Sequence, residues 1–234
     1  MNPILLHIET STNVCSVALS ESGECLFSIS NSEGMNHAAL LSLFIEKATS
    51  VLRGRGRTPD AVAVSEGPGS YTGLRIGVST AKGLCYGWDI PLIAVNTLQI
   101  LNASALGDTN YSENSLFCPM IDARRMEVYD AVFDVRGNMI KETAADIIAS
   151  DSFRDMLEKQ PVYFFGNGSD KCKSVIVHNN ACFLENKHPL AENMILSALD
   201  KFNRREFADT AYFEPFYLKE FRATTPKPQF PVGG

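Results

Sequence analysis

The chain has 234 residues, of which 45% are hydrophobic and 21% are charged. These values are ordinary for a soluble globular protein that forms one large domain or two small ones around a substantial core. The formal net charge is −6, which argues against a protein that binds nucleic acid by itself, because phosphate contacts need clustered cations.

The sequence indicates a protein of a reducing compartment without membrane contact. No apolar run approaches the length of a membrane span, and the N-terminal residues lack the basic lead and the cleavage site of a signal peptide. The six cysteines show no CxxC spacing and are expected to be buried thiols. We therefore expect a cytoplasmic protein.

The first half of the chain is predicted to form three strands, a helix, a strand, a helix and a last strand. Apolar or alternating runs indicate the strands, and apolar residues at helical spacing indicate the helices. The predicted segments are strands at 4–8, 15–20 and 25–30, a helix between 36 and 52, a strand at 61–65, a glycine-rich helix over 72–87 and a strand at 92–95.

The second half repeats this order in its pattern. The predicted segments are strands at 117–121, 127–134 and 139–143, a helix over 151–159, a strand at 162–165 and a final amphipathic helix over about 191–205. Ser150 is the predicted N-cap of the first of these helices. In each half the first strand ends in a carboxylate, which is Glu9 in one and Asp122 in the other.

A duplicated unit of this order resembles the actin-like ATPase fold, which acetate kinase, sugar kinases and heat-shock ATPases share. The resemblance implies an α/β protein of two lobes, each an RNase H-like mixed sheet with helices, that face each other across a cleft. We expect an N-terminal lobe over 1–103 and a C-terminal lobe over 104–223. The Pro-rich tail over 224–234 is expected to be extended or disordered.

A glycine-rich loop and helix follow the fourth predicted strand. Glycine costs roughly 1 kcal/mol relative to alanine inside a helix, so its repeated use here indicates a special requirement. Gly73 and Gly77 are four residues apart and share one face of the helix. Two interpretations stay open. Either the bare face packs against another helix, or the loop with Gly69 and Ser70 binds a phosphate at the helix N-terminus with assistance from Arg75.

Glu9 and Asp122 are the best candidates for an acid pair. Two carboxylates at strand ends in a cleft could hold Mg²⁺ through water or position a nucleophilic water. The simpler interpretation, which we favour, is that each carboxylate caps the loop after its strand, with Thr10 and Ser11 close to the first. One of the two arginines at 124–125 is expected to pair with an acid in the cleft.

The sequence offers little for other kinds of catalysis. The glycine-rich loop lacks the GK[ST] ending of a Walker motif. Ser70 has no histidine and acid at a recognisable triad spacing. His37 is followed at the fourth position by Leu41, so the HxxxH pattern of a metal-binding helix is missing. His7 lies within the first strand, where we expect a packed or hydrogen-bonded core histidine.

The two N-terminal helices predict a docking surface. Apolar residues cover more than one stripe of the first helix, and such a helix is either deeply buried or bound to a partner. We expect the helices to pack antiparallel against equivalent helices of another chain, through Leu40, Leu43, Phe44, Lys47, Gly73, Ile76, Gly77 and Thr80. Gly77→Leu is then expected to abolish partner binding and to leave the isolated chain folded.

Four motifs resemble the TsaB (YeaZ) family, and together they extend over nearly the whole chain. The longest is the string GPGSYTGLRIG, which begins at Gly67. The others are Ile8–Thr12 with Cys15–Leu19, Ile121–Arg124 with Glu127–Tyr129, and Pro215 with Tyr217–Lys219. Glu9 and Lys219 differ from the usual Asp and Arg of the family, and Gly166 and Gly168 are only a fragment of an adenosine-binding motif.

This resemblance implies a non-catalytic role in bacterial tRNA modification. Members of the family are partners of TsaD, which transfers a threonylcarbamoyl group to the adenosine next to the tRNA anticodon and carries an HxxxH metal site. The implied role includes binding TsaD through the two N-terminal helices, helping to recruit the ATPase TsaE, and forming homodimers through the same helices. The resemblance also implies tRNA contact only through the complex, no cofactor bound tightly by this chain alone, and ATP or ADP with Mg²⁺ at the interface of the complex.

Two alternatives remain. One is a small ATP-binding phosphotransferase or ATPase that uses Glu9 and Asp122, with a nucleotide close to Thr10, Ser11, Gly69, Ser70 and Arg75. The other is a glycoprotease-like peptidase, which the missing metal ligands argue against. Stabilisation of the lone protein by ATP and Mg²⁺ would favour the first alternative, because a ligand that binds only the native state raises its stability.

Overall fold

The computed structural model describes residues 2–32, 36–107 and 111–218 of the chain. Its strands form two five-stranded mixed sheets, one from each half of the sequence. No helix in these ranges is long and apolar enough to span a membrane. The predicted tail over 224–234 and the motif residue Lys219 lie outside the described residues.

The first half folds into five strands and three helices. These elements are β1 (Ile4–Glu9), β2 (Cys15–Glu21), β3 (Glu24–Asn31), α1 (His37–Ser50), β4 (Ala61–Gly67), α2 (Tyr71–Trp88), β5 (Leu92–Asn96) and α3 (Thr97–Leu106). The strand order is β3-β2-β1-β4-β5. β1 is antiparallel to β2 and parallel to β4, so α1 lies within the crossover connection that returns the chain beside β1.

The second half contains an equivalent sheet. Its elements are β6 (Leu116–Asp122), β7 (Glu127–Asp134), β8 (Met139–Ile147), the short helix α4 (Arg154–Leu157), β9 (Val162–Phe165) and β10 (Ala181–Phe183). The order β8-β7-β6-β9-β10 repeats the first sheet position for position. β6 is antiparallel to β7 and parallel to β9. This duplication confirms the predicted two-lobed α/β architecture of the actin-like fold.

Both faces of the first sheet are covered, so β1 is buried along its whole length. Leu6 and Ile8 pack with residues of α1 and α2 on one face. Leu5 packs on the opposite face with Met194 and Ala198. Ala198 belongs to the last helix, α5 (Ile195–Arg204). The predicted division after residue 103 assigns this helix to the C-terminal lobe by sequence, whereas in space it covers the sheet of the first lobe.

The helix predicted over 151–159 is wrong in length and in its cap. It is only the four residues of α4, and Ser150 does not cap it. The Ser152 hydroxyl accepts a hydrogen bond from the Ala149 amide at 2.9 Å, which holds a turn before the helix. Phe153 then has a left-handed φ of 62°, so helical geometry begins only at Arg154.

The sequence prediction omits α3 and β10. The Asn96 side chain caps α3 by accepting hydrogen bonds from the amides of Leu98 and Gln99. An asparagine followed by apolar residues at helical spacing, here Leu98, Leu101 and Ala105, is a helix signal that the sequence contains. The three residues of β10 pair with β9, and a strand of that length is too short to show an alternating pattern.

Candidate functional site

The carboxylate at the end of β1 is buried. Glu9, Thr10 and Ser11 have no exposed surface, and the Ser11 amide donates to Glu9 Oε1 at 2.6 Å. Burial raises the pKa of Glu9 to about 7, against the opposing effect of hydrogen bonds from Ser11. Glu9 therefore caps the loop after β1, as the simpler interpretation predicted. As folded, these three residues offer a nucleotide phosphate no surface to contact.

The glycines around the start of α2 fit against this same loop. A Cβ atom on Gly69 would overlap the Ser11 carbonyl oxygen, and one on Gly73 would overlap the Thr10 carbonyl oxygen. A Cβ atom on Gly77 would overlap the Thr10 hydroxyl. Glycine permits this close approach because it has no Cβ. The bare face of α2 is thus occupied by the chain's own β1–β2 loop, and the expectation that Gly73 and Gly77 contact a partner helix is wrong.

Hydrogen bonds fasten the β1–β2 loop to the start of α2. The Ser70 amide donates to the Ser11 carbonyl at 2.7 Å, and the Thr10 hydroxyl donates to the Gly73 carbonyl at 2.8 Å. Ser70 is also the N-cap of α2, since its hydroxyl accepts from the Gly73 amide at 3.2 Å. The predicted phosphate contact at Gly69 and Ser70 stays a prediction.

Arg75 lies one turn into α2 among aromatic rings. Its guanidinium carbon is 5.1 Å from the centre of the Tyr71 ring, and Tyr71 packs against Tyr217 with ring centres 4.7 Å apart. A guanidinium over a tyrosine ring is a favourable cation–π arrangement. The structure thus explains the orientation of Arg75 without an anion, and its predicted place near a nucleotide stays a prediction.

The carboxylate at the end of β6 has different surroundings. The Asp122 side chain is 45% exposed and forms an ion pair with Lys171. It accepts a hydrogen bond from the Arg124 amide at 3.2 Å, and the Asp122 amide donates to the Asn167 side chain at 3.0 Å. Asp122 therefore caps its own loop as well, and it has a cationic partner, which Glu9 lacks among the residues that the structure describes.

The prediction that one of the arginines at 124–125 pairs with an acid is wrong. Both are exposed, and within the described ranges neither guanidinium forms an ion pair. Glu9 and Asp122 do not line a common open site either, because Glu9 is fully enclosed. In the described part of the chain no three His, Cys, Asp or Glu side chains are grouped so that they could hold a metal ion.

The outer faces of α1 and α2 carry the residues that remain of the predicted docking surface. Leu43 is 44% exposed, Lys47 is exposed, and Leu40, Ile76 and Thr80 are half-buried. Phe44 does not belong to this surface. It is only 5% exposed and packs in the core between α1 and the sheet, because helical spacing turns it inward with Leu41 and Ala48.

A cavity of about 110 Å³ lies between the N-terminal ends of α1 and α2, beside this surface. Of its polar lining residues, Ser70 was predicted as a site residue, whereas Thr12, Asn36 and Thr72 were not. His37 also lines the cavity, is buried, and its Nε2 lies 2.7 Å from the Thr12 carbonyl oxygen. Because a carbonyl can only accept, this nitrogen carries the proton and holds the β1–β2 loop against α1.

A larger cavity, of about 340 Å³, lies beside β8 and α4 in the second lobe. Lys141, Asp146 and Phe153 line it, and none of them was predicted as a site residue. Lys141 pairs there with Asp146 and with the fully buried Asp130, whose Oδ1 is 2.6 Å away. The sequence gives no signal for this cluster, since its members are separated along the chain and come together only through the pairing of β7 with β8.

His7 and the cysteines test the expectations about the core. His7 is fully buried, and its Nε2 lies 2.8 Å from the Ser20 hydroxyl, which confirms a hydrogen-bonded core histidine.

All six cysteines are free thiols. Four of them are buried, but Cys25 is exposed and Cys182 is half-buried, so the prediction of buried thiols is wrong for these two.

Comparison with known proteins decides the family. A family model described as TsaD, tRNA N6-adenosine threonylcarbamoyltransferase, matches residues 31–226. The chain belongs to this family. Its similar relatives include proteins named tRNA threonylcarbamoyladenosine biosynthesis protein TsaB, which place it in the TsaB (YeaZ) group, as the motifs predicted.

The coverage of these TsaB relatives differs. The Bacillus subtilis protein is 35% identical over 49% of this chain and 49% of its own length. The Haemophilus influenzae protein is 36% identical over 55% of this chain and 52% of its own length. The chain therefore aligns with about half the length of these two relatives. With the Escherichia coli protein it shares 26% identity over 92% of this chain and 94% of the relative.

Two solved structures from Pseudomonas aeruginosa have the same fold as this chain. One is titled YeaZ, with a TM-score of 0.74, 26% identity, and coverage of 92% of this chain and 100% of the other. The second is titled an uncharacterized protein with similarity to peptidase YeaZ, with a TM-score of 0.76, 26% identity, and coverage of 93% and 100%.

The TsaB motifs occupy the strand ends of both lobes. The motif that begins at Gly67 forms the junction of β4 and α2, and it packs on the motif Ile8–Thr12. The motif Ile121–Arg124 forms the end of β6 and the turn after it. These motifs therefore shape the loops after the first strand of each lobe and the helix that covers one of them.

Proposed function

We propose that the chain is a non-catalytic subunit of the complex that adds a threonylcarbamoyl group to the adenosine next to the tRNA anticodon. The names of its TsaB relatives support this role in the pathway. The observation that carries the partner role is the half-exposed apolar surface across α1 and α2. It combines Leu43, which is 44% exposed, with the half-buried side chains of Leu40 and Ile76.

This surface suits a pair of helices from another protein. Apolar side chains that are partly exposed on two neighbouring helices gain roughly 25 cal/mol per Å² of apolar area when a partner covers them. Lys47 lies at the same outer face of α1 and could pair with an acid at the rim. We propose TsaD as the partner, with the same surface forming a homodimer when the chain is alone.

The remaining parts of the proposal concern nucleotide and TsaE. The loop after β1 is enclosed by α2, which supports a chain that binds no nucleotide tightly by itself. ATP or ADP with Mg²⁺ would then bind at the interface of the complex, where TsaE is recruited. We propose that all of this takes place in the cytoplasm.

The test is incorporation of labelled threonine into tRNA by TsaC, TsaD and TsaE, with and without the chain. We expect incorporation only when the chain is present. Leu43→Arg should abolish incorporation and co-elution with TsaD in gel filtration, because it places a charge in the apolar surface. Leu196→Arg is the matched control, since Leu196 is 73% exposed on α5, and it should behave like the wild type.

Two results would contradict the proposal. Equal incorporation without the chain would remove the role as a subunit. Normal association with TsaD by Leu43→Arg would remove the docking surface and leave the role in the pathway intact. A circular dichroism melt of both variants excludes misfolding as the cause of any loss.

A further inference from the structure

The turn between β6 and β7 holds two arginines in a conformation that arginine rarely adopts. Arg124 and Arg125 have φ angles of 72° and 51°. Left-handed backbone favours glycine and asparagine, and two consecutive arginines there are uncommon. Glycines such as Gly56 and Gly137 have positive φ elsewhere in the chain, and so do single non-glycine residues, Arg205 among them. In the part of the chain that the structure describes, Arg124 and Arg125 are the only two consecutive non-glycine residues with positive φ.

Contacts from three directions fix the backbone of this turn. The Ala123 amide donates to the Glu127 carbonyl at 3.1 Å, and the Glu127 amide donates to the Arg124 carbonyl at 3.1 Å. The Asp122 side chain accepts from the Arg124 amide. Lys171 donates to the Glu127 carbonyl at 2.7 Å and pairs with Asp122. Hydrogen bonds from β6, from β7 and from the segment after β9 therefore fix the backbone of the turn.

Among the residues that the structure describes, the two guanidinium groups have no ion-pair or aromatic partner. Arg124 and Arg125 are exposed, and in the ranges that the structure describes they make no ion pair or ring contact. Other arginines of the chain are paired, as Arg55 and Arg57 are with Glu21. Two acids flank the turn: Asp122 is paired with Lys171, and Glu127 also has a partner. On a fixed backbone, the turn therefore presents two adjacent guanidinium groups that form no ion pair within the described ranges.

We propose that Arg124 and Arg125 bind backbone phosphates of tRNA. The inference rests on the proposed function, and it departs from the expectation that tRNA is contacted only through the complex. Guanidinium groups match phosphate oxygens with two parallel hydrogen bonds, and such contacts supply most of the affinity and the salt dependence of nucleic-acid binding.

The position and charge of the turn favour this ligand. It belongs to the second lobe, whereas the proposed docking surface lies on α1 and α2 of the first lobe, so one chain could use both at once. With a net charge of −6, the chain would repel tRNA over much of its surface. A local pair of arginines that supplements the contacts of a partner is consistent with that charge.

The test measures how tRNA binding depends on salt, for the full chain alone and mixed with TsaD. The variant R124N/R125N removes both charges, and asparagine tolerates the left-handed backbone. The control R53A/R136A removes the same charge from two other exposed arginines. The slope of log K against log salt should fall by about 1.4 to 1.8 in R124N/R125N, because each phosphate contact contributes roughly 0.7 to 0.9. It should not change in the control.

Each other outcome overturns the proposal. Unchanged slopes in R124N/R125N, or no tRNA binding by any form, would show that the arginines do not contact RNA. A loss of ATP–Mg²⁺ binding with an unchanged tRNA slope would assign them to a nucleotide, and a loss of TsaD association with an unchanged slope would assign them to an acidic protein surface. If the chain fails to support threonine incorporation, the proposed function is wrong instead, and the series with the chain alone still decides the role of the arginines.

Discussion

The two lobes share one strand order but place the carboxylate at the end of their first strand in opposite surroundings. Glu9, the last residue of β1, is completely buried and accepts a hydrogen bond from the Ser11 amide. Asp122, the last residue of β6, is 45% exposed and is paired with Lys171. Similar positions in a duplicated fold therefore give one carboxylate that belongs to the core and one that belongs to the surface.

Glycines pack against both strand ends. The difference in burial between Glu9 and Asp122 therefore comes from the element in which these glycines lie. In the first lobe Gly73 and Gly77 belong to a helix of 18 residues, and the whole of α2 covers the loop. In the second lobe Gly168 belongs to a turn, where a Cβ atom would meet the backbone of Ile121 and Asp122. Because a turn covers less than a helix, the second end keeps its contact with solvent. We expect changes at the first end to alter stability and changes at the second end to alter binding.

The largest effect on stability is expected from substitution of the glycines of α2. A methyl group at Gly73 would overlap the Thr10 carbonyl oxygen, whereas one at Gly83 would meet nothing within 4 Å. We expect Gly73→Ala to lower the free energy of unfolding by about 3 kcal/mol, because the backbone must shift to admit the group. Gly83→Ala, in the same helix, should raise it by about 1 kcal/mol, because alanine is the better helix former. Urea denaturation measures both.

Equal effects of the two substitutions would mean that α2 does not close on the first strand end. The same geometry corrects the expectation that Gly77→Leu leaves the isolated chain folded. A Cβ atom on Gly77 already overlaps the Thr10 hydroxyl, and a leucine side chain is larger still. Loss of partner binding in that variant would therefore report on folding and not on docking.

The second effect is a pH dependence of stability at the end of β1, where Glu9 is buried. Burial raises the pKa of Glu9 from 4.5 to about 7, so between these pH values the folded state binds more protons than the unfolded state. Its contribution to stability is therefore present below pH 4.5 and is lost as the pH rises to about 7. At 1.36 kcal/mol for each pKa unit, the loss amounts to roughly 3 kcal/mol. Glu9→Gln should remove this loss.

His7 on the same strand has the opposite slope. Burial lowers its pKa from 6.5 to about 3, so its contribution is present above pH 6.5 and is lost as the pH falls. The two slopes oppose each other between pH 4.5 and 6.5 in the wild type. Asp130 of the second lobe, whose pKa burial raises to about 6, adds the same loss of stability with rising pH to variant and wild type. Stability measured by urea denaturation at a series of pH values should therefore fall less between pH 4.5 and 7 in Glu9→Gln than in the wild type. Parallel profiles of variant and wild type would show that Glu9 does not titrate in this range.

The sequence predicted the repeated strand order and the cap role of both carboxylates because these depend on local pattern. Apolar runs, turn residues and a polar residue after a strand can all be recognised within a few positions. It did not predict which face of α2 is closed, because Gly73 and Gly77 look the same whether Thr10 or another chain lies against them. Phe44 was misplaced for a related reason: apolar residues at three-residue and four-residue spacing predict a helix but do not say which stripe is innermost.

The site depends more on tertiary contacts than the fold does. The enclosure of Glu9 follows from the packing of α2, which is distant along the chain: the hydrogen bond from Thr10 to Gly73 spans 63 residues. The pairing of Asp122 with Lys171 spans 49 residues. No periodicity reports such pairs. One arginine at 124–125 was therefore predicted to pair with an acid in the cleft, whereas the cation that pairs with Asp122 is Lys171.

The smallest effect is expected at the exposed strand end. Asp122→Asn should change the free energy of unfolding by less than about 1 kcal/mol, because ion pairs that are open to solvent contribute little. The asparagine side chain can still accept from the Arg124 amide, so the cap of the loop is kept. Urea denaturation at neutral pH measures the free energy of unfolding of Asp122→Asn and of Glu9→Gln under the same conditions.

The two substitutions each remove one negative charge from the end of a first strand, so their difference reports on burial. Glu9→Gln is expected to stabilise the chain at neutral pH, since it relieves a carboxylate that is fully buried. Asp122→Asn is expected to leave stability nearly unchanged and to keep the turn that presents Arg124 and Arg125. A large loss of stability in Asp122→Asn would mean that its pair with Lys171 holds the second lobe together, and the two strand ends would then differ in exposure but not in structural importance.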